Sequence, residues 1–163
     1  MKGYLDTNIV ITLAKGDFPD QIEPLLRVLE ACDYGKGEIA TSRLTGTELD
    51  KYRGTADLAV RAIYLLVRKV PTISPQTLLG INVAGDARTW INSPILQNDP
   101  VWERLRSIGV KDLDAQHILA AVKADCDTFL TCDDGILNRA KDIAAAYKLN
   151  CARPSELVLK LGW

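Results

Sequence analysis

Short apolar stretches alternate along the chain with longer stretches whose apolar residues recur at helical spacing. The short stretches, "GYL", "EIATS" and "DTFLT", predict strands. The longer ones predict helices, and they are "NIVITLAKG", "PDQIEPLLRVLEACDYG", "RLTGTELDKYRG", "VKDLDAQHILAAVKADC" and "DDGILNRAKDIAAAYK". Strands that alternate with helices are typical of a parallel sheet covered on both faces. The pattern therefore predicts an α/β protein, a three-layer α/β/α sandwich with a central parallel sheet.

The middle of the chain departs from this alternation. Residues 57–70 predict a helix that is apolar around most of its circumference, which suits either a central position or a dimer seam. In the segment 71–101, four prolines and two glycines interrupt every candidate element and predict short helices and loops. The flanking segments hold too few strands for two separate cores, so we expect residues 1–163 to form a single domain. In the tail "LNCARPSELVLKLGW", Pro154 suits the first turn of a helix.

Composition and charge narrow the possible functions. With 47% hydrophobic and 25% charged residues, the 163-residue chain is too apolar for a disordered protein. The net charge of -1 and the sequence pI near 5.8 argue against binding nucleic acid through a global positive field. The single histidine and four cysteines without a CxxC pair predict reduced thiols rather than a zinc site. No signal peptide or membrane-length apolar run is present, so we expect a cytoplasmic protein with no membrane contact.

Four acidic residues stand where ligands collect in such a fold. Asp6 follows the first predicted strand, Glu48 lies on the helix after the second, Asp114 begins a helix, and Asp133 follows the later strand. Carboxylates held close together repel each other, and a hard cation such as Mg²⁺ or Mn²⁺ relieves that repulsion. The alternative for each residue is an ordinary turn or helix N-cap.

Together, four motifs resemble those of the PIN domain family, and most closely the toxin-type ribonucleases of the VapC kind. The motifs are "LDTN" at Leu5 to Asn8, the acid in "TGTELDKYR", "DLDAQHILAA" at Asp112 to Ala121, and "FLTCDDGIL" at Phe129 to Leu137. The resemblance extends to the "ARPSEL" tail and leaves the proline-rich middle unmatched. It implies a compact α/β/α fold and a metal-dependent endoribonuclease that hydrolyses the phosphodiester bonds of RNA.

The resemblance also implies roles for individual residues. Asp6, Glu48, Asp114 and Asp133 would be catalytic and would bind one or two Mg²⁺ or Mn²⁺ ions. Asp114 is preferred over Asp112 because Ala115 and Ile118 follow it with the family's spacing, which leaves Asp112 as an N-cap. Asp133 is preferred over Asp134 because Thr131 and Ile136 flank it. Thr131 would orient the site through its hydroxyl, Asn8 would hold Asp6 or its loop, and Thr7 would cap the first helix.

Other charged residues near the predicted site have less specific roles. Arg43, Lys51 and Arg53 flank Glu48 and would either bind RNA phosphates or remain solvated surface charges. His117 lies one helical turn after Asp114, and we expect it to be a partly buried packing residue, because a metal-activated water replaces the base that histidine often supplies.

The expected partners are an RNA substrate, a second copy of the chain in a homodimer, and a small antitoxin protein. Two other functions remain open. One is a catalytically silent PIN-like module that binds RNA or protein. The other is phosphotransfer through an aspartyl-phosphate on Asp6, although Asn8 occupies the position where haloacid-dehalogenase-like folds carry a second aspartate.

Overall fold

A computed structural model describes residues 1–51, 72–73 and 99–163. The predicted helix at 57–70, most of the proline-rich segment 71–101 and Arg53 lie outside them, and the single-domain organisation of residues 1–163 stays a prediction.

Within the described residues, five parallel strands form the sheet. They are β1 (Lys2–Leu5), β2 (Glu38–Ser42), β3 (Thr72–Ile73), β4 (Thr128–Leu130) and β5 (Asn150–Ala152). Their order is β3-β2-β1-β4-β5, so the first strand of the chain is the central one. In the register, Tyr4 lies opposite Ala40 of β2 and Phe129 of β4. Any side chain that directly follows β1 is therefore placed at the middle of the carboxyl edge of the sheet.

Helices connect the strands. They are α1 (Thr7–Lys15), α2 (Ile22–Asp33), α3 (Arg43–Lys51), α4 (Pro100–Ser107), α5 (Asp112–Lys123), α6 (Asp134–Leu137), α7 (Ala140–Tyr147) and α8 (Pro154–Leu161). The helix α1 ends at Gly16, as predicted, because this residue adopts the left-handed conformation with φ 73°. Pro154 occupies the first turn of α8, also as predicted, where its missing N–H costs no hydrogen bond.

Alternating residues of the strands face two separate hydrophobic clusters. Tyr4 and Phe129 belong to one cluster, which α4, α5 and α7 complete, while Leu5 and Leu130 belong to the other, which α1, α2 and α8 complete. Because successive strand residues point to opposite faces, the two clusters are the two sides of the sheet. The helices thus cover both faces, which confirms the predicted three-layer α/β/α architecture.

Three element predictions were wrong. The stretch "DDGILNRAKDIAAAYK" forms two helices, α6 and α7, because the backbone leaves the helical conformation at Arg139 (φ -109°, ψ 6°). The tail contains the strand β5 before α8, and the start of the proline-rich segment contributes the strand β3. Both strands have only two or three residues, too few to show a period of hydrophobic positions in the sequence.

The four cysteines are unpaired, in agreement with the predicted reduced thiols. Burial raises the pKa of Cys126 and Cys132 to about 11 and that of Cys151 to about 12. Thiols with such values remain protonated near neutral pH and are poor nucleophiles and metal ligands. Across residues 1–51, 72–73 and 99–163, the structure contains no helix with the length and apolar character needed to cross a membrane.

Candidate functional site

Asp6 lies directly after the central strand and is only 5% exposed. Its backbone N–H donates to the Leu130 carbonyl (3.0 Å), so the turn after β1 is attached to the neighbouring strand β4. Although Asp6 occupies the N-cap position of α1, its carboxylate does not cap the helix. Oδ2 instead accepts a hydrogen bond from Thr131 Oγ1 (2.7 Å). The loop after β4 therefore holds one oxygen of the carboxylate, and the backbone of Asn8 at the start of α1 also favours its charged form.

Thr131 connects the loops that follow the two central strands. Its hydroxyl is fully buried, donates to Asp6 and accepts a hydrogen bond from the Asp133 backbone N–H (3.0 Å). One hydroxyl thus contacts two segments that are 125 residues apart in the chain. Thr131 therefore contacts Asp6 directly, and its predicted role in orienting the site stays a prediction.

Asp114 lies in the first turn of α5 and interacts with the other acids through its charge. Burial, followed by the charges of Asp133 and Asp6, raises its pKa to about 6, while Lys111 and His117 act in the opposite direction. Asp112, by contrast, forms an ion pair with Arg106 (3.2 Å). The predicted N-cap role of Asp112 is wrong, because the N-cap position belongs to Lys111 and Asp112 is already inside the helix.

Asp6 is the most deeply buried of the four acids, and its pKa is raised. Burial is the largest cause, and the charge of Glu48 adds to it. The charge of His117, the hydrogen bond from Thr131 and the backbone of Asn8 act in the opposite direction. Asp6 thus interacts electrostatically with Glu48 and Asp114, and Asp114 interacts with Asp133.

Glu48 is in direct contact with the single histidine of the chain. His117 Nε2 lies 3.1 Å from Glu48 Oε2, and His117 Nδ1 lies 2.7 Å from the Tyr4 hydroxyl. Burial opposes a charge on His117, but the hydrogen bond with Glu48 and the charges of Asp6, Glu48 and Asp114 raise its pKa. The interpretation of His117 as a packing residue missed these polar contacts, because helical spacing does not show which side chain of α3 faces α5.

Asp133 and Asp134 have different surroundings. Asp133 is the N-cap of α6, with Oδ1 accepting a hydrogen bond from the Gly135 backbone N–H (2.6 Å). A Cβ atom at Gly135 would lie 2.8 Å from this oxygen, so a larger residue there would displace the Asp133 carboxylate. Asp134, whose side chain is 70% exposed, forms an ion pair with Arg153 (2.6 Å). Of the two acids, Asp133 is the one whose charge acts on Asp114.

The predictions for the remaining site residues differ in how they compare with the structure. The side-chain oxygen of Asn8 accepts a hydrogen bond from Thr12 Oγ1 (3.2 Å) within α1. The predicted cap by Thr7 is wrong: Thr7 is the first residue of α1, and its buried hydroxyl has no hydrogen-bond partner in the described part of the chain. Arg43 and Lys51 are the first and last residues of α3, and their role in RNA binding, like that of Arg53, stays a prediction.

The four acids suit a hard divalent cation in their chemistry. Carboxylate oxygens are the preferred ligands of Mg²⁺ and Mn²⁺, and a bound cation would relieve the repulsion that raises the pKa of Asp114. In their present rotamers, no three Asp, Glu, His or Cys side chains among the described residues are arranged to enclose a metal ion. The chemistry of the donor set and its negative charge fit the ion.

Comparison with solved structures identifies the fold. The chain is similar to a chain in the crystal structure of VapBC2 from Rickettsia felis bound to a DNA fragment from their promoter. The TM-score is 0.57 at 15% sequence identity, and the alignment covers 94% of this chain and 98% of that one. The chain has the same fold. A PIN-like α/β/α fold, predicted from the four motifs, is thereby confirmed.

A second solved structure agrees with the PIN-like fold. It is VapBC-5 from Mycobacterium tuberculosis, a member of the VapBC family of toxin-antitoxin systems, with a TM-score of 0.51 at 17% identity and coverage of 93% of this chain and 98% of that one. No model of a known protein family matches the sequence, and no curated protein does. At identities of 15% and 17%, the likeness concerns the fold alone.

Proposed function

We propose that this protein is a Mg²⁺- or Mn²⁺-dependent endoribonuclease that hydrolyses RNA phosphodiester bonds. Asp6, Glu48, Asp114 and Asp133 would together hold one or two ions. The observation that carries this proposal is the mutual electrostatic effect of these acids at the carboxyl edge of a PIN-like sheet. A bound divalent ion would supply a water of lowered pKa and positive charge next to the phosphate. It would also allow a protein with net charge -1 to bind a polyanion.

The side chains around the acids have supporting roles in this proposal. Thr131 holds Oδ2 of Asp6 in one direction through its hydrogen bond and so limits the rotation of that carboxylate. Asn8 stabilises the first turn of α1, which begins directly after Asp6. Arg43, Lys51 and Arg53 bind phosphate groups of RNA on either side of Glu48.

We also propose that the protein is the toxin of a toxin-antitoxin pair and acts in the cytoplasm. Both similar structures are VapBC assemblies, one of them described as belonging to a toxin-antitoxin family. On this basis we infer a small antitoxin protein and a homodimer as its partners. Size-exclusion chromatography with light scattering tests the homodimer on the protein alone. The same measurement with the product of any small reading frame next to its gene tests the antitoxin.

An RNA cleavage assay tests the proposed activity. The purified protein should cleave RNA with Mg²⁺ or Mn²⁺ and should lose activity in excess EDTA. Asp6→Asn should reduce cleavage to background, because it removes a charged ligand. Asp112→Asn is the matched control on an acid that pairs with Arg106, and it should retain cleavage. Equal cleavage by wild type and Asp6→Asn would refute the proposal.

A second candidate function is a catalytically silent PIN-like module that binds RNA or protein. It is favoured by the absence, among the described residues, of a metal-binding arrangement in the present rotamers. Calorimetric titration separates the two functions: the nuclease binds Mn²⁺ at millimolar metal, and the silent module does not.

A further inference from the structure

A buried chain of hydrogen bonds connects the sheet to Glu48. The Tyr4 hydroxyl of β1 lies 2.7 Å from Ser42 Oγ and 2.7 Å from His117 Nδ1, and His117 Nε2 lies 3.1 Å from Glu48 Oε2. Tyr4 is completely buried, and Ser42 and His117 are 2% and 3% exposed. Four side chains from β1, β2, α3 and α5 therefore form one connected network.

The proton positions in this network follow from its donors and acceptors. In one arrangement Tyr4 donates to Ser42 Oγ and its oxygen accepts from His117 Nδ1–H, so the imidazole carries a proton on both nitrogens. The Glu48 carboxylate can only accept, so Nε2 donates to it. If the Tyr4 proton turns towards Nδ1 instead, Nε2 still carries a proton and still donates to Glu48. The Nε2–H donor to Glu48 is thus present in both arrangements.

Rigid packing holds the imidazole in place. The Tyr4 ring stacks on Phe129 with centroids 5.2 Å apart, and it meets the His117 ring edge-on at 5.9 Å. Burial raises the pKa of the Tyr4 phenol far above its usual range, so its proton is always available for the network. Glu48 itself is 24% exposed and lies on a side chain with three rotatable bonds. A fixed donor therefore contacts Oε2 at the end of this long side chain.

We propose that His117 is a positioning residue: it fixes Oε2 of Glu48 so that this carboxylate is directed into the divalent-cation site, and Tyr4 fixes His117 in turn. This inference rests on the proposed function and extends it to two residues that bind neither metal nor RNA. Hydrogen-bond partners of a metal-binding carboxylate typically contribute about 10- to 100-fold to metal affinity. His117 should therefore act on metal affinity and on kcat rather than on RNA binding.

Calorimetric titration with Mn²⁺ tests the positioning role. His117→Leu, which removes both ring nitrogens, should weaken Mn²⁺ binding by about tenfold or more. His117→Gln can place an amide N–H near the position of Nε2 and should recover most of the affinity, whereas His117→Asn reaches only the Nδ1 position and should not. Cleavage assays on the same variants should show a lower kcat and an unchanged KM for RNA.

Tyr4→Phe provides a milder test that keeps the core volume. It removes the hydroxyl that holds Nδ1 and should weaken Mn²⁺ binding in the wild-type background but have no further effect in His117→Leu, because both changes act through Glu48. The matched control is Tyr147→Phe, which removes a phenol that donates to the Val101 carbonyl (3.2 Å) and has no hydrogen bond to Tyr4, His117 or Glu48 among the described residues. That control should leave Mn²⁺ affinity unchanged.

Nuclear magnetic resonance gives a readout that does not depend on activity. Because His117 is the only histidine, ¹⁵N-labelled histidine gives one pair of ring nitrogen signals. Glu48→Gln and addition of Mg²⁺ should each shift the Nε2 signal more than the Nδ1 signal, and Tyr4→Phe should do the reverse. Ring signals that respond to none of these changes would overturn the inference.

The outcomes also separate this inference from the proposed function. If the wild type binds no Mn²⁺, the proposed function and the positioning role both fail. If the wild type binds Mn²⁺ and folded His117→Leu binds it equally well, the positioning role alone fails and the nuclease proposal stands.

Discussion

At the scale of single residues, the surroundings of the candidate site disfavour the ionised form of the Asp6 and Asp114 carboxyl groups. Asp6 is buried, and Asp114 has a pKa of about 6 because of burial and the charges of Asp133 and Asp6. Buried like charges reduce the free energy of unfolding unless a cation compensates them. Sites that sacrifice stability in this way are typical of catalysis and ligand binding.

Asp114 should make the stability of the metal-free protein depend on pH. The pKa of Asp114 is 3.8 when unperturbed and about 6 in the fold. Its contribution to the free energy of unfolding is therefore complete below about pH 4 and is lost as the pH rises through 6. Asp114→Asn should remove this loss and, after allowance for solvent screening, increase the unfolding free energy by about 1 kcal/mol at pH 7.5. Urea unfolding in EDTA at pH 5 and pH 7.5 measures the difference. A variant less stable than the wild type at pH 7.5 would contradict this account.

Thr131 should matter for stability and metal binding together. Thr131→Val keeps the side-chain shape but leaves the Asp6 carboxylate and the Asp133 backbone N–H without this partner. The expected cost is about 1–3 kcal/mol of unfolding free energy, with weaker Mn²⁺ binding. Thr131→Ser keeps the hydroxyl and is the control, which should retain Mn²⁺ affinity. Denaturant unfolding and calorimetry on both variants test the prediction, and equal Mn²⁺ affinity of the valine and serine variants would contradict it.

At this scale, the sequence predicts the position of a residue well where a motif contains both that residue and the strand or helix next to it. "LDTN" predicts Asp6 at the end of a strand, where the structure has it. Thr131, which the family resemblance marks as an orienting residue, donates a hydrogen bond to Asp6. The caps predicted at Thr7 and Asp112 were wrong by one residue, because each helix begins one residue earlier than its sequence pattern indicates. The contact between His117 and Glu48 depends on how α3 and α5 pack, which one sequence does not record.

At the scale of elements, the long helical stretches and the strands β1, β2 and β4 were predictable, whereas the strands β3 and β5 were not. The helices α1, α2 and α5 carry enough turns to show an apolar face, and a charged residue directly follows each of β1 and β2. The strand β5 has three residues and is fixed by pairing with β4, a tertiary contact. The helices α6 and α7 are separated at Arg139, whose guanidinium donates hydrogen bonds to two backbone carbonyls. The contact with the Ile108 carbonyl is tertiary, so the pattern of apolar positions does not show it.

Arg139 should stabilise the part of the fold that presents Asp133 and Asp114. Its Nε donates to the Ile108 carbonyl (3.0 Å) before α5, and Nη1 donates to the Gly135 carbonyl (2.8 Å) in α6. Arg139→Ala should lower the unfolding free energy by about 2 kcal/mol, because two carbonyls lose a charged donor.

The matched control for Arg139 is Arg27→Ala, which breaks an exposed ion pair with Glu23 inside α2 and should cost less than about 0.5 kcal/mol. Chemical denaturation measures both variants. Equal losses in the two variants would show that Arg139 is an ordinary surface residue.

At the scale of the whole molecule, topology brings the acids together. The order β3-β2-β1-β4-β5 puts β1 beside β4, so the turns that carry Asp6 and Asp133 are neighbours at the carboxyl edge of the sheet. The alternation of strands and helices predicted this fold class, since parallel strands require crossover helices. The order and register of the strands depend on contacts between distant segments, which the pattern of apolar positions does not contain.

The central claim is that four carboxylates from distant parts of the chain bind one divalent-ion site. X-ray diffraction from crystals soaked in MnCl₂, at a wavelength where Mn²⁺ scatters anomalously, locates the ion directly. The account predicts anomalous density at the carboxyl edge of the sheet, coordinated by oxygens of Asp6, Glu48, Asp114 and Asp133. Density elsewhere on the surface, with these four carboxylates directed away from one another, would contradict it.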